Sequence, residues 1–274
     1  MKFVICGDSW AYGADVKHPD HIDRNYKVAD PLFVINDEYR KNNRFMKQIA
    51  DKMGYDTIID LSYQGGSNDL IVRRLTNWLV KNDYTNGKDT DDLFVCITWT
   101  SPERTEFQSF NNTMPSFAHD GYIAVGPWSV AVGYEHDKEI NDFFHTFHKY
   151  FWNKNEMCNR FLYLVWHTQN LLKQHNIKYV MAQTFVDNDY AWSKKDRNVQ
   201  EFISSLPIDD YCPRQKLWNN IDDIKFMNKN DTLVLFLNRI STELIMEKNA
   251  HPILEGHKLI ADHIYNYIKE NQIV

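Results

Sequence analysis

Four short runs constrain this chain more than any other feature. Lys2 to Cys6 (KFVIC), Asp56 to Leu61 (DTIIDL), Leu93 to Trp99 (LFVCITW) and Ile177 to Thr184 (IKYVMAQT) are β-branched and apolar on both faces. A strand with one wet face alternates polar and apolar residues. A strand apolar throughout is covered on both sides, as in a parallel sheet between two layers of helices.

Helical patterns fill the intervals. Tyr39 to Met53 places Phe45, Met46, Ile49, Ala50 and Met53 at helical spacing and ends at Gly54, a residue suited to a helix C-terminus. Ser67 to Val80 reads as a helix capped by Ser67, with Leu70, Ile71, Leu75, Trp78 and Leu79 on one stripe. Asn155 to Gln174 and Leu254 to Glu270 follow the same rule, the latter carrying Leu259, Ile260, Ile264, Tyr267 and Ile268. Strand and helix alternate, so the expected fold is a three-layer α/β/α sandwich on a mostly parallel, five-stranded sheet, its fifth strand placed within Thr232 to Leu237.

Two stretches interrupt the alternation. Residues 105–134 are aromatic and punctuated by Gly and Pro, and residues 186–231 are polar with scattered Trp and Tyr. Loops this long are usually functional covers or small subdomains. Without a Ser/Gly linker, low-complexity tract or internal repeat, the expectation is one domain, residues 1–274, with insertions at about 105–134 and 186–231.

Composition narrows the function classes. A formal net charge of -6 argues against nucleic acid held by phosphate neutralisation. No stretch approaches the roughly 20 uninterrupted apolar residues of a membrane helix, and the first residues lack a signal peptide's basic region and apolar core. The expected protein is soluble and cytoplasmic, with neither nucleic acid nor membrane as partner. Cys6, Cys96, Cys158 and Cys212 are scattered without metal-ligand spacing and read as buried free thiols. His145 and His148, in DFFHTFHKYFW, are spaced for a metal but lack a third ligand, and an aromatic helix face accounts for them.

In a parallel α/β sheet, ligands sit beyond the carboxyl ends of the strands. Each such end is polar here: Gly7-Asp8-Ser9 after the first strand, Ser62 to Asp69 (SYQGGSND) after the second, and Thr98 to Arg104 (TWTSPER) after the third. Asn249-Ala250-His251-Pro252 and Gly256-His257 stand just before and within the last helical pattern. A serine hydroxyl becomes a nucleophile when a histidine takes its proton, and Ser9 and His251 can meet if both close one sheet edge. A glycine turn opening a helix, as at Gly65-Gly66, offers an unobstructed N–H to a developing oxyanion.

The order of these blocks resembles the SGNH, or GDSL-type, hydrolases: GDS near the N-terminus, a Gly turn opening a helix that carries Arg74, and a C-terminal His-Pro followed by Gly-His. The resemblance covers most of the chain by order and spacing, through short motifs. It implies a flavodoxin-like three-layer fold and hydrolysis of esters, including lipid, acyl-thioester and O-acetylated glycan substrates, without metal or organic cofactor. Ser9 then matches the nucleophile and an oxyanion N–H, Gly65 the glycine donor, His251 the general base, and Asp8 the acid beside the nucleophile that shapes the turn.

Two positions depart from the family pattern. Thr100 stands where the oxyanion-binding Asn belongs, with Asn68 as another candidate donor. Lys248 occupies the site of the Asp that orients the histidine, leaving Glu247 or a backbone carbonyl for that role. Trp99 and Arg104 are candidate substrate contacts, although a salt bridge to Glu103 or Glu106 explains Arg104 better. Trp128, Trp192 and Trp218 are candidate walls of an acyl or sugar pocket. The leading function is therefore a serine esterase acting on a small acyl ester or on O-acetyl groups of a glycan. Against it stand an inactive relative that binds a glycan or protein partner and, more weakly, a flavodoxin-like mononucleotide binder, for which GDSWAYG lacks a phosphate cradle.

Overall fold

The computed structural model describes residues 1–19, 31–108, 122–126, 138–187, 196–208, 212–246 and 250–274. Its elements run β1 (Lys2–Gly7), α1 (Ser9–Tyr12), α2 (Pro31–Asn43), α3 (Phe45–Lys52), β2 (Thr57–Asp60), α4 (Asn68–Lys81), β3 (Leu93–Trp99), β4 (Thr105–Gln108) and β5 (Tyr122–Val125). The chain continues through α5 (Lys138–Tyr150), α6 (Lys154–Gln174), β6 (Lys178–Gln183), α7 (Val199–Ser205), α8 (Arg214–Asn219), α9 (Leu233–Ile240) and α10 (Leu254–Glu270).

Four strands form a wholly parallel sheet in the order β2-β1-β3-β6. Its two faces explain the doubly apolar runs. Phe3, Ile5, Phe94 and Cys96 face α3 and α10, packing with Phe45, Met46, Ile260 and Ile264. Their neighbours Val4, Cys6, Val95 and Ile97 face α4 and α6, packing with Ile71, Leu75, Phe161 and Val165. Alternate residues thus enter different cores, and neither face of β3, nor of β1 beyond Lys2, meets water. The four cysteines are free and buried.

Thr232 to Leu237 is helical, not the fifth strand. Thr232 caps α9, its hydroxyl accepting from the Leu235 N–H at 3.1 Å. A short apolar run fits either periodicity, and the capping threonine decides this one. The fifth sheet position is instead a single parallel bridge between Phe226 and Met181. It is held by Met181 N–H to Lys225 O and Met227 N–H to Met181 O, both 2.7 Å. The pattern over Tyr39 to Met53 is also divided, because Arg44 is extended (φ -71°, ψ 153°) and α3 begins anew after it.

Within the first insertion, β4 and β5 form an antiparallel hairpin packed on α5 through Ile123, Val125, Phe144 and Phe147. Arg73 of α4 ties the hairpin to the sheet: its guanidinium donates to both Glu106 carboxylate oxygens (2.7 and 3.2 Å) and lies 3.8 Å above the Tyr122 ring. His148 faces this hairpin, its Nε2 3.0 Å from Gly126 O. No described helix is long and apolar enough to cross a membrane.

Candidate active site

At the carboxyl end of β1 the chain turns without a spacer into α1. Gly7 is required there, since a Cβ would stand 2.3 Å from Thr98 Oγ1 and 2.5 Å from Ala11 Cβ. Asp8 caps the helix: its Oδ1 accepts from the Trp10 N–H at 3.0 Å, and Ser9 becomes the first helical residue. The Ser9 N–H, at a helix N-terminus, has no intrahelical acceptor. After four residues Gly13 ends the helix at φ +79°, and Ala14 N–H closes the turn onto Ser9 O at 2.8 Å. Asp15 follows at φ +64°, a region that Asp tolerates better than most side-chain-bearing residues. Arg40 holds this loop from outside by donating to Tyr12 O and stacking 3.6 Å above the Tyr12 ring.

His251 arrives from the other end of the chain. The segment before α10 folds on itself through an Ile245–Pro252 bridge, with Met246 N–H to His251 O at 2.8 Å and Ile253 N–H to Leu244 O at 2.9 Å. Gly256 lets α10 approach this segment, since a Cβ there would stand 2.7 Å from Leu244 O. His257 docks α10 on α3: it is fully buried, stacks on Phe45, and its Nδ1 accepts from the Phe45 N–H at 3.3 Å. Burial pushes His257 down to about 3, so it is a neutral packing residue.

The two loops meet. His251 Nε2 lies 2.9 Å from Ser9 Oγ, and His251 Nδ1 lies 2.5 Å from Asp15 Oδ2. With Asp15 ionised, Nδ1 must carry the proton, which turns the Nε2 lone pair toward the serine hydroxyl. The hydrogen bond from His251 holds the Asp15 carboxyl below its ordinary range, against a smaller opposing effect of burial. The Ser9 residue is 5% exposed, and the His251 and Asp15 side chains 14% and 19%, so the row is shielded yet reachable from solvent.

Asp15 is thus the carboxylate on His251, in the place assigned to Glu247 or a backbone carbonyl. Glu247 and Lys248 lie outside the described residues. Asp15 stands only six residues after Ser9, and its signal is the Gly13-Ala14-Asp15 turn directly behind that serine.

The Gly65 turn is brought alongside by Tyr63, whose N–H donates to Gly7 O at 3.0 Å. Gly65 adopts φ +73° with nothing within 4 Å of where a Cβ would stand, and a Cβ on Gly66 would lie 3.9 Å from Asp8 Cα. Ser67 caps α4 through the Leu70 N–H at 3.1 Å, as its sequence position implied.

The other two candidate oxyanion donors are committed elsewhere. The Asn68 amide spans the backbone of the third loop: Nδ2 donates to Thr100 O (3.2 Å) and Ser101 O (3.0 Å), while Oδ1 accepts from the Thr100 N–H (3.0 Å). Thr100 Oγ1 donates to Asp8 Oδ2 at 2.7 Å. Trp99 is wholly buried, edge-on to Phe161, and so belongs to the core rather than to a substrate surface. Trp218 is likewise core, packed on Phe226, while Trp128 and Trp192 lie outside the described residues. Arg104 sits 3.7 Å from Asp8 Oδ2 and 4.9 Å above the Phe185 ring, whereas Glu106 pairs with Arg73 and Glu103 with Lys154 at 3.0 Å. Among the described residues no group of three His, Cys, Asp or Glu side chains could hold a metal ion.

The fold and site define a parallel α/β protein with a Ser-His-Asp hydrogen-bonded row at the carboxyl edge of its sheet. The chain belongs to DUF6071, a family of unknown function, whose model matches residues 25–273 and so takes in Gly65 and His251 while starting beyond Ser9 and Asp15. No curated protein matches it. Among solved structures it is similar to the psychrotrophic esterase EstA from Pseudoalteromonas sp., at 13% identity over 98% of this chain and 97% of that one, with a TM-score of 0.47. It is also similar to a member of the lipolytic protein G-D-S-L family from Veillonella parvula (12% identity, 97% of each chain, TM-score 0.44). A two-domain esterase active on acetylated mannans matches at 10% identity over 100% of this chain and 50% of that one, TM-score 0.46.

Proposed function

We propose that this protein is a serine hydrolase that cleaves carboxylic esters. The observation that carries the reading is the continuous row Ser9 Oγ, His251 Nε2, His251 Nδ1, Asp15 Oδ2, with spacings of 2.9 and 2.5 Å. Ser9 Oγ attacks the ester carbonyl while its proton passes to His251 Nε2. The tetrahedral oxyanion is held by the backbone N–H groups of Ser9 and Gly65. His251 then returns the proton to the leaving alkoxide as the carbonyl C–O bond breaks, leaving an acyl-serine and a free alcohol. Water, activated by the same nitrogen, releases the acid and restores Ser9. Asp15 keeps the imidazole in the required tautomer and stabilises its protonated form without taking the proton.

A small acyl group is the proposed substrate portion, an O-acetyl group on a glycan among them, and the resemblance of the GDS, Gly-turn and His-Pro blocks to the SGNH hydrolases supports this choice. Residues 1–274 are proposed to act as one domain.

The test is intact and peptide mass spectrometry after reaction with a fluorophosphonate, which modifies an activated serine whatever the natural substrate. Labelling at Ser9 that disappears in His251→Ala is expected. A folded wild-type protein left unmodified would overturn the hydrolase reading in favour of a binding protein.

A further inference from the structure

The two proposed oxyanion donors belong to different strand ends, the Ser9 N–H after β1 and the Gly65 N–H after β2. One oxygen atom can accept from both only if the two turns keep a fixed spacing, so something must hold them together. Beside the Tyr63 N–H bond to Gly7 O, a buried polar chain joins them. Asp8, next to Ser9 and fully buried, accepts the Thr100 hydroxyl at 2.7 Å. The Thr100 backbone is held on both sides of its Cα by the Asn68 amide. Asn68 is the first residue of α4, three residues beyond Gly65, and is 1% exposed. Gln183 Nε2 ties the same Thr100 carbonyl to the end of β6 at 2.8 Å. The path from one donor to the other is therefore Ser9, Asp8, Thr100, Asn68 and Gly65, crossing three strand ends through buried Asp8, Thr100 and Asn68.

We infer that Thr100 and Asn68 are positioning residues that set the spacing of the Ser9 and Gly65 donors. The inference rests on the hydrolase reading. It assigns Thr100 a role unlike that of a direct donor. The single proton of the threonine hydroxyl is spent on Asp8, and both amide protons of Asn68 are engaged by carbonyls. A buried hydrogen bond to a carboxylate is short and strong, so the link is stiff as well as continuous. Removing the hydroxyl would also cost Asp8 Oδ2 its 2.7 Å donor, with the Arg104 guanidinium at 3.7 Å beside it.

The experiment compares wild type, Thr100→Val and Thr100→Ser with 4-nitrophenyl acetate, alongside native-state hydrogen exchange of peptides covering residues 7–13 and 63–68. Thr100→Val keeps the side-chain shape and loses the hydroxyl, whereas Thr100→Ser keeps it. Expected for Thr100→Val is a kcat about 100-fold lower with KM within about twofold, since a small misplacement of catalytic groups costs on that order. Exchange should quicken in both peptides, and Thr100→Ser should recover both readouts. A direct oxyanion donor would lose kcat with exchange unchanged at both turns, and that outcome overturns the inference. Faster exchange confined to one turn, or unaltered kcat, overturns it too. If wild type neither hydrolyses the ester nor reacts with a fluorophosphonate, the hydrolase reading fails. Exchange still judges the link itself, because a spacing role requires both turns to loosen together in Thr100→Val and not in Thr100→Ser.

Discussion

The loop after β1 and the loop before α10 build the same hydrogen-bonded row by opposite means. The first supplies Ser9 and Asp15 from a stretch of seven residues, fixed by local turn chemistry: an Asp cap, a left-handed glycine and a left-handed aspartate. The second supplies His251 alone, 242 residues away from Ser9, and is fixed by packing of α10 on α3 through His257 and Phe45. Serine and carboxylate are therefore coupled through the backbone of one turn. The histidine that must lie between them is placed by the tertiary fold. Damage to the first loop should change chemistry with the fold intact, whereas damage to the second should act through where His251 sits.

The largest expected effect tests the first loop. Asp15→Asn keeps the size of the side chain and removes the charge, so an amide can face Nδ1 with either its oxygen or its NH2 and no longer enforces the tautomer. Loss of the corresponding carboxylate in a serine triad lowers kcat by about 10⁴-fold, and a drop on that order is expected here with a melting transition at neutral pH lowered by no more than a few degrees. A kcat within tenfold of wild type would show that the 2.5 Å contact orients nothing of consequence.

Next comes the second loop. Gly256→Ala adds a Cβ 2.7 Å from Leu244 O and 3.0 Å from Pro252 Cβ, so the segment that carries His251 must move. A loss of about 10²-fold in kcat is expected. The amides of residues 7–13 should keep wild-type exchange. If the first loop loosens as well, the two are not independent and the comparison fails.

The same contrast is legible, in part, in the sequence. Runs apolar on both faces located the four strands because each face meets a different helical layer. Ser67 and the His-Pro and Gly-His blocks stood at sites whose caps and close approaches require those residues. Asp15 escaped because the resemblance directed attention to the residues before His251, whereas the deciding observation is a backbone conformation, φ +64°, that swings a nearby carboxylate behind the serine. Thr100 and Asn68 were read as donors because their residue types can donate. Which acceptor takes each proton depends on atoms 32 and 92 residues away and is invisible to spacing. Thr232 to Leu237 misleads for a reason of another kind, since six residues of which five are apolar fit a covered strand or a buried helix face equally well.

A smaller effect is expected on stability with pH. A carboxyl held below its unfolded value, about 3.9, binds fewer protons in the folded state than in the unfolded state as acid is added, so its contribution is present above that value and lost as pH falls through the lowered one. Asp15 is such a group, through its hydrogen bond from His251. The melting temperature of wild type should therefore exceed that of Asp15→Asn by a constant margin near neutrality and by a shrinking one below about pH 4. A margin that widens in acid would mean that the carboxyl is not held in its ionised form by the histidine.

The smallest expected effect separates the two acids considered for the histidine. His251 has two ring nitrogens, and the structure engages both, one with Ser9 and one with Asp15. A neutral imidazole with its donor and acceptor satisfied has no vacancy for a second carboxylate in the ring plane. Glu247→Gln should consequently leave kcat/KM within about twofold of wild type, the range of a substitution that touches no essential group. The informative comparison is the double variant. If Asp15 alone orients the ring, Asp15→Asn/Glu247→Gln should be no slower than Asp15→Asn. If Glu247 takes over when Asp15 is neutralised, the single Asp15 variant will retain activity that the double variant loses, and the His251 loop will then have a carboxylate of its own in reserve.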